Sequence, residues 1–342
     1  MDLSHCCEFT RESIIMALST YIDAITTGLA EEMRRDERVF IIGEDVGVMG
    51  GVFKATKGLQ EEFGTDRVVD SPLAEGIIIS SSIGAALAGM RPVPEIQFAD
   101  FITPAMDAIT QQAAKLRYRS GGSQTCPITV RVCYGGGVGG GLYHSQTNTT
   151  WFIHEPGLVV VAPSTPYDAK GLLKSAIRDD NPVIYFEHKK LYRSIKEEVP
   201  EEDYTVPLGK AAVRREGKDI TAISYGYTLQ LTLQAAEKMK ENGVDVEVID
   251  LRTLAPLDKD TILESVAKTN RAVVIHEDHR TLGVGAEISA IIAEEAFDCL
   301  DAPIVRVTAP DVPAIPFSAP LEKFYMPSVE KIVTALERTV QY

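Results

Sequence analysis

Asp70-Ser-Pro-Leu-Ala-Glu-Gly-Ile-Ile-Ile-Ser-Ser-Ser-Ile-Gly-Ala-Ala-Leu-Ala-Gly-Met90 carries a strand exit, a turn and a helix in one run. Val68-Val69 before it reads as a buried strand, and Pro72 pushes Ser71 into an extended or turn conformation. After Glu75 no charge appears until Arg91. A helix that is apolar or small all round predicts burial on every side, so Glu75 is expected to open a buried helix, away from bulk water. Burying a carboxylate is costly unless something binds it, and desolvation favours its protonated form. A helix N-terminus offsets part of that cost. A first-turn Glu can also simply cap its own helix, and position alone leaves both roles open.

Working outward, the strand–helix alternation repeats. Ser19 is expected to cap a helix through about Arg35, with Ile22, Ile25, Leu29 and Met33 on one face. The strand from Val39 ends on Glu44 and Asp45. The strand 92–98 leads to a helix that Asp100 is expected to cap and Arg117-Tyr-Arg-Ser-Gly-Gly to close. Strands at 128–133, 158–161 and 183–186 follow, with a helix at 166–178 before the last. Residues 188–208 are charged and aperiodic and read as a linker. Beyond them, strands are expected at 219–224, 244–249, 272–276 and 303–307, with helices near 228–241, 258–269, 285–298 and 328–338. The pattern predicts an α/β chain of two parallel-sheet domains, 17–190 and 208–342, with an extension at 1–16 and a linker at 191–207.

The chain has 342 residues and a formal charge of −15, which argues against nucleic-acid binding and against an anionic membrane surface. No apolar run reaches the roughly 20 residues that span a bilayer. The five cysteines, Cys6, Cys7, Cys126, Cys133 and Cys299, lack metal-ligand spacing and read as free thiols in a reducing compartment. The first fifteen residues match neither a signal nor a transit peptide, so a cytoplasmic location is expected.

Two motifs carry candidate chemistry. Gly135, Gly137 and Gly140 form a GxGxxG after a strand, but without the acidic residue on a second strand that a dinucleotide site needs. Ile275 to Ile288, with Gly283 and Gly285, is a similar match that reads better as a tightly packed helix start. His144, just past the glycine run, is either a loop anchor or a group that moves protons near neutral pH. No histidine has HExxH or other paired spacing, which argues against a transition-metal site.

Several stretches together resemble one family: IIGEDVG (41–47), GGVFKATKGLQEEFG (50–64), SPLAEG (71–76), PEIQFADF (94–101), LRYRSGG (116–122), HSQ (144–146), PSTPYDAKGLLKSAIRDDNPV (163–183) and VIDLRTLAPLD (248–258). From about residue 17 onward the chain resembles the β subunit of the thiamine-diphosphate-dependent, decarboxylating first component of 2-oxo acid dehydrogenase complexes, of branched-chain 2-oxo acid or pyruvate type. The resemblance implies a transketolase-like pyrimidine-binding domain followed by a transketolase C-terminal-like domain. It implies that Glu75 hydrogen-bonds the aminopyrimidine N1′, a contact favouring the imino tautomer that removes the thiazolium C2 proton. Leu73, Gln97 and Phe101 match residues lining the pyrimidine; some relatives carry Tyr in place of Phe101. His144 matches a proton donor for acyl transfer to lipoyl-lysine, and its glycine loop is expected to let the lipoyl arm approach. Ile128, Ala176, Ile177, Asp179 and Asn181 match a structural potassium site; an ion-free helix exit is the alternative.

No GDG motif, the family's Mg²⁺-diphosphate anchor, occurs in the chain. The resemblance therefore implies an α subunit that supplies Mg²⁺ and the diphosphate site, in an assembly of two α and two β chains served by a lipoyl acyltransferase core. The competing readings are an acetoin dehydrogenase β subunit, a non-catalytic scaffold, and a dinucleotide-binding module at 135–141.

Overall fold

The computed structural model describes residues 16–342. Cys6, Cys7 and the 1–16 extension, apart from Met16, lie outside the described residues.

The first half carries strands β1 (Met16–Thr20), β2 (Val39–Gly43), β3 (Val68–Asp70), β4 (Arg91–Ile96), β5 (Thr129–Tyr134), β6 (Val159–Val161), β7 (Val183–His188) and β8 (Lys196–Pro200). The second half carries β9 (Ala212–Arg215), β10 (Ile220–Ser224), β11 (Val246–Asp250), β12 (Thr253–Ala255), β13 (Ala272–His279) and β14 (Val305–Ala309). One sheet has seven strands in the order β12-β6-β7-β5-β4-β2-β3, and the other has five in the order β14-β13-β10-β11-β9. Within these two sheets all pairs are parallel except β12 on β6 and β9 on β11. This is the transketolase-like pair of parallel-sheet units that the alternation and the resemblance predict.

Helix Tyr21–Arg35 buries Ile22, Ile25, Leu29 and Met33 as expected, against helix Pro166–Arg178. Its cap is Thr20, not Ser19: the Thr20 hydroxyl accepts from the Asp23 amide, and Ser19 belongs to β1. The 191–207 stretch is not an irregular linker. It holds helix Leu191–Ser194 and β8, which pairs antiparallel with β1 from Met16↔Pro200 to Thr20↔Lys196. Its charges lie mostly on the outer positions of that short ribbon.

Asp100 does not cap a helix. Residues Ala99–Ala105 form a 3₁₀ turn, Ala108–Ala113 a π turn and Ala114–Arg119 an α-helix, and the Asp100 carboxylate instead accepts from the Gln146 amide. Pro104 inside the first turn of this run interrupts a regular helix there.

The core is continuous between the halves. One face of the larger sheet packs on helices Tyr21–Arg35 and Pro166–Arg178. The other shares a cluster with Ile223, Ile249, Leu251 and Val274 of the second sheet. Strand β12 carries the second half directly onto the edge of the first sheet. Among the described residues no helix is long and apolar enough to cross a membrane.

Candidate active site

Ligands in open parallel sheets sit beyond the carboxyl ends of the strands, and here candidate side chains follow the ends of β2, β3, β4, β5 and β7. Glu44 follows directly on the last residue of β2. Its carbonyl accepts from Gln97 Nε2 at 3.0 Å, tying the ends of β2 and β4 together. The Ser71 amide donates to Gly43 O at 2.8 Å and Asp70 Oδ1 accepts from the Gly47 amide at 2.6 Å, fixing the exit of β3. Five residues after Asp70, Glu75 opens helix Glu75–Leu87. A Cβ on Gly76 would lie 3.0 Å from Pro104 O, so the glycine lets the helix start approach the 3₁₀ turn that carries Phe101.

Glu75 is half-buried and, among the described residues, no side-chain hydrogen bond or ion pair engages it. Burial raises the Glu44 carboxyl above its ordinary range, and the charges of Asp45 and Glu75 add to the rise, so three carboxylates crowd one strand-end cleft. The expectation of a helix buried on every side is corrected. Ile78, Ile79, Ser82, Ile83 and Ala86 are buried, but Ile77, Ser80, Gly84 and Leu87 form an exposed stripe continued by Leu73, which is 72% exposed. Among the described residues, half of this apolar helix is left without a packing partner.

An aromatic cluster follows the end of β4. The His144 ring meets Phe98 edge-to-face at 4.6 Å and Phe101 at 5.4 Å, and Phe98 meets Phe101 at 5.9 Å. Lys189, just past the end of β7, is buried with its Nζ 5.7 Å from the Phe98 ring centre and no hydrogen-bond partner among the described residues. Burial lowers its pKa to about 8, against the pull of Cys133, Asp100 and Glu277. Burial raises the Asp100 carboxyl, and Lys189 opposes that rise. The sequence reading did not single out Phe98 and Lys189, and it expected Asp100 only as a helix cap; the readable signal was a lysine at the end of an otherwise buried strand.

The glycine loop 135–141 is not a dinucleotide cradle and not a free flap. Its amides are already engaged. Gly136 N donates to Glu277 Oε1 at 3.0 Å, and Gly137 N and Gly139 N donate to Glu322 Oε1 at 3.0 and 3.2 Å. Glu277 Oε1 also accepts from Thr147 Oγ1 at 2.6 Å, while its Oε2 meets His188 Nε2 at 2.6 Å. Burial pushes the Glu277 carboxyl up, but His188, Thr147 and Gly136 outweigh it and hold the carboxyl below its ordinary range. The second match, near Gly283 and Gly285, is a tight helix start: Gly285 N donates to His276 Nε2 at 3.1 Å, and a Cβ on either glycine would strike that ring.

The five candidate cation ligands converge where helix Pro166–Arg178 ends. Val183 N donates to Ile128 O, and Ala176 O accepts from the Asp179 amide. Asp179 Oδ1 accepts from the amide and Nδ2 of Asn181. Arg91 Nη1 donates to Ile177 O at 3.0 Å and Asp179 O at 2.9 Å, so a guanidinium takes one lone pair of each carbonyl. The donors are hard oxygens of the type an alkali cation prefers. Among the described residues there is no cluster of three His, Cys, Asp or Glu side chains able to hold a metal.

Residues 19–195 match the family model described as transketolase, pyrimidine binding domain, and residues 209–332 the model described as transketolase, C-terminal domain. The chain is 52% identical over 327 residues to the 2-oxoisovalerate dehydrogenase subunit beta of Bacillus subtilis, covering 96% of this chain and 100% of that one. It is 49% identical, with the same coverage, to the pyruvate dehydrogenase E1 component subunit beta of Bacillus subtilis and to that of Staphylococcus aureus. Among solved structures, a split-gene transketolase described as an inactive beta4 tetramer superposes with a TM-score of 0.77 at 20% identity, covering 94% of this chain and 98% of that one.

Proposed function

This chain belongs to the family of β subunits of the 2-oxo acid dehydrogenase first component, and from that premise we propose that it holds the pyrimidine end of thiamine diphosphate in a site completed by an α subunit. The observation that carries the reading is Glu75: a half-buried carboxylate with no partner among the described residues, at the strand-end cleft that Gln97 helps frame and near a wall of Phe98, Phe101 and His144. A carboxylate in that position gains most from a ligand with a ring nitrogen that donates or shares a proton. The residues fit the pyrimidine end of the coenzyme. The bound coenzyme supplies the nucleophilic carbon that adds to the 2-oxo group and accepts the electron pair left by departing CO₂.

In this reading Glu75 holds the ring nitrogen and favours the tautomer competent to move a proton. Gln97, Phe101 and Leu73 shape the ring's surroundings. His144 delivers a proton during acyl transfer to lipoyl-lysine of an acyltransferase core. The exposed stripe Leu73, Ile77, Ser80, Gly84 and Leu87 suits close helix packing against another subunit, as small residues at an obligate interface allow. Mg²⁺ and the diphosphate are assigned to the α side of an assembly of two α and two β chains. A branched-chain 2-oxo acid such as 2-oxoisovalerate is the favoured substrate, with pyruvate next; the support is the small margin between the two sets of relatives. The oxygen cluster at Ile128, Ala176, Ile177, Asp179 and Asn181 is assigned to a monovalent cation on donor type. The boundaries 17–190 and 208–342, joined by 191–207, are retained as the domain division, and a cytoplasmic location is retained with them.

The test is Glu75→Gln in the reconstituted α–β complex. An amide cannot share the proton as a carboxyl does. Decarboxylation is expected to fall by about 10²–10⁴-fold, the usual range for a lost acid–base group, while assembly is unchanged. Near-wild-type turnover would move the chain to the scaffold reading. Turnover on 2-oxoisovalerate, pyruvate and acetoin assigns the substrate.

A further inference from the structure

We propose that Glu322, with Glu277 behind it, is a positioning residue for the reaction: it reaches from the second domain and clamps the glycine loop whose far end carries His144. The activity arm of this inference rests on the role given to His144 above; the structural arm does not.

A run of six glycines in seven residues loses a large conformational entropy when it is ordered. Such a loop sits still only where something bonds its backbone. Here the bonds come from another domain. Glu322, on helix Ala319–Tyr325, is 8% exposed and takes two amides of the loop on one oxygen. Gly139 itself is exposed, so its amide would face water if the carboxylate were absent. Glu277 takes the preceding amide, at Gly136, and Thr147, which lies three residues beyond His144, so one carboxylate pins both ends of the segment. Lys190 Nζ donates to Gly137 O at 3.1 Å and holds the carbonyl side.

Packing closes the clamp. A Cβ on Gly136 would lie 2.7 Å from Met326 Sδ, and one on Gly141 would lie 2.3 Å from the Phe317 ring. The second domain's 315–326 segment is therefore moulded onto the loop. His144, unlike the loop amides, is exposed and is steered through its backbone and its contacts with Phe98 and Phe101. Neither Glu322 nor Glu277 contacts Glu75 or Gln97. Loss of the clamp should therefore reach the step that uses His144 before the step that uses Glu75.

Hydrogen exchange over residues 134–147 of the assembled α–β complex tests the clamp first in the unaltered protein. Slow exchange at the Gly137 and Gly139 amides is expected, although Gly139 is exposed; exchange as fast as in an unstructured peptide overturns the proposal even if no variant can be made. Glu322→Ala is then expected to speed exchange across this segment only. It should lower reductive acylation of a free lipoyl domain about tenfold, the effect of losing roughly one charge-assisted hydrogen bond. Decarboxylation measured with an artificial electron acceptor should stay within about twofold of wild type. Glu322→Gln, which keeps an accepting oxygen, should restore most of the acylation rate. Unchanged exchange in Glu322→Ala overturns the clamp whatever the activities. Faster exchange with both half-reactions falling together supports the clamp and refutes the division of labour assigned to Glu75 and His144.

Discussion

Arg131→Met should expose how much the site depends on a charge cluster at the centre of the larger sheet. Arg131 lies on β5 and is fully buried. Its Nε and Nη2 bond both oxygens of Glu187 on β7 at 2.6 and 2.8 Å, and its Nη1 bonds Glu95 on β4 at 2.5 Å. Tyr192 OH donates to the same Glu187 carboxylate at 2.7 Å. Two buried carboxylates thus share one guanidinium across three adjacent strands. Removing it leaves both without a cation, a change worth about 3–5 kcal/mol. At about 2.1 cal/mol/K per residue, 342 residues give ~0.7 kcal/mol/K, so Tm should fall by roughly 4–7 °C at neutral pH.

The pH dependence gives a second handle on the same variant. Burial pushes the Glu95 carboxyl up, against the pull of Arg131. Without Arg131 its folded-state pKa rises further above the unfolded value. A raised carboxyl contributes stability that is full below the unfolded pKa and is lost as pH rises through the folded one. The deficit of Arg131→Met relative to wild type should therefore shrink from pH 7 to pH 5. The assay is thermal melting of the purified α–β complex at both values. Replacing all three charges by apolar residues of similar size should recover most of the loss. A Tm change under about 1 °C for the single variant, or a deficit that grows towards pH 5, would refute the reasoning.

Two other outcomes follow from single sites. Burial, with Arg306 nearby, lowers the His276 pKa to about 4, against the weaker opposing pulls of the Asp278 backbone and Glu277. A depressed His binds its proton in the unfolded chain first, so the stability it confers is full above about pH 6.5 and falls towards pH 4, by roughly 3 kcal/mol over that window; the Tm gap between wild type and His276→Gln should narrow by several degrees as pH drops. Replacing potassium by tetramethylammonium, which is too bulky for a site of closely spaced carbonyls, should lower the melting temperature if an alkali cation binds at Asp179; an unchanged Tm returns that cluster to Arg91 alone.

The alternation of strands and helices was legible because both sheets are mostly parallel and buried, so their strands read as apolar runs. What escaped reading were segments whose partner is far away in sequence. β1 and β8 are short and largely exposed, and each is a strand only because the other is beside it. Thr253–Ala255 is three residues long and is defined by β6. Glu75 and His144 stood out in the sequence itself, and the resemblance added Gln97 and Phe101; the structure brings Gln97 to the end of β2 and sets Phe101 against His144. Phe98 and Lys189 were not singled out, since a Phe before a turn or a Lys after a strand is ordinary until the fold puts one against the other, and Asp100 was read only as a cap. The apolar helix after Glu75 misled for a related reason. Composition shows how much surface a helix buries in the working assembly, whereas a single chain shows only the share it buries alone.

The same distinction governs how the two halves relate. The second sheet contributes none of the residues matched to the pyrimidine, yet the first sheet is not complete without it. Ser164 donates to Asp250 at 2.7 Å and accepts from the Gly226 amide at 2.8 Å. Asp168 is buried against the guanidiniums of Arg214 and Arg252, which reach it from the second half. His188, at the end of a first-sheet strand, bonds Glu277 on a second-sheet strand. Each of these pairs puts a polar group with its partner in a region sealed from water, where leaving either member alone costs about 1–3 kcal/mol or more. A first half produced without the second would carry several such orphans at once, together with the uncovered cluster around Ile223 and Val274. Glu75, the carboxylate proposed to meet the coenzyme, thus belongs to one domain, while the polar groups that let that domain keep its shape are supplied in part by the other.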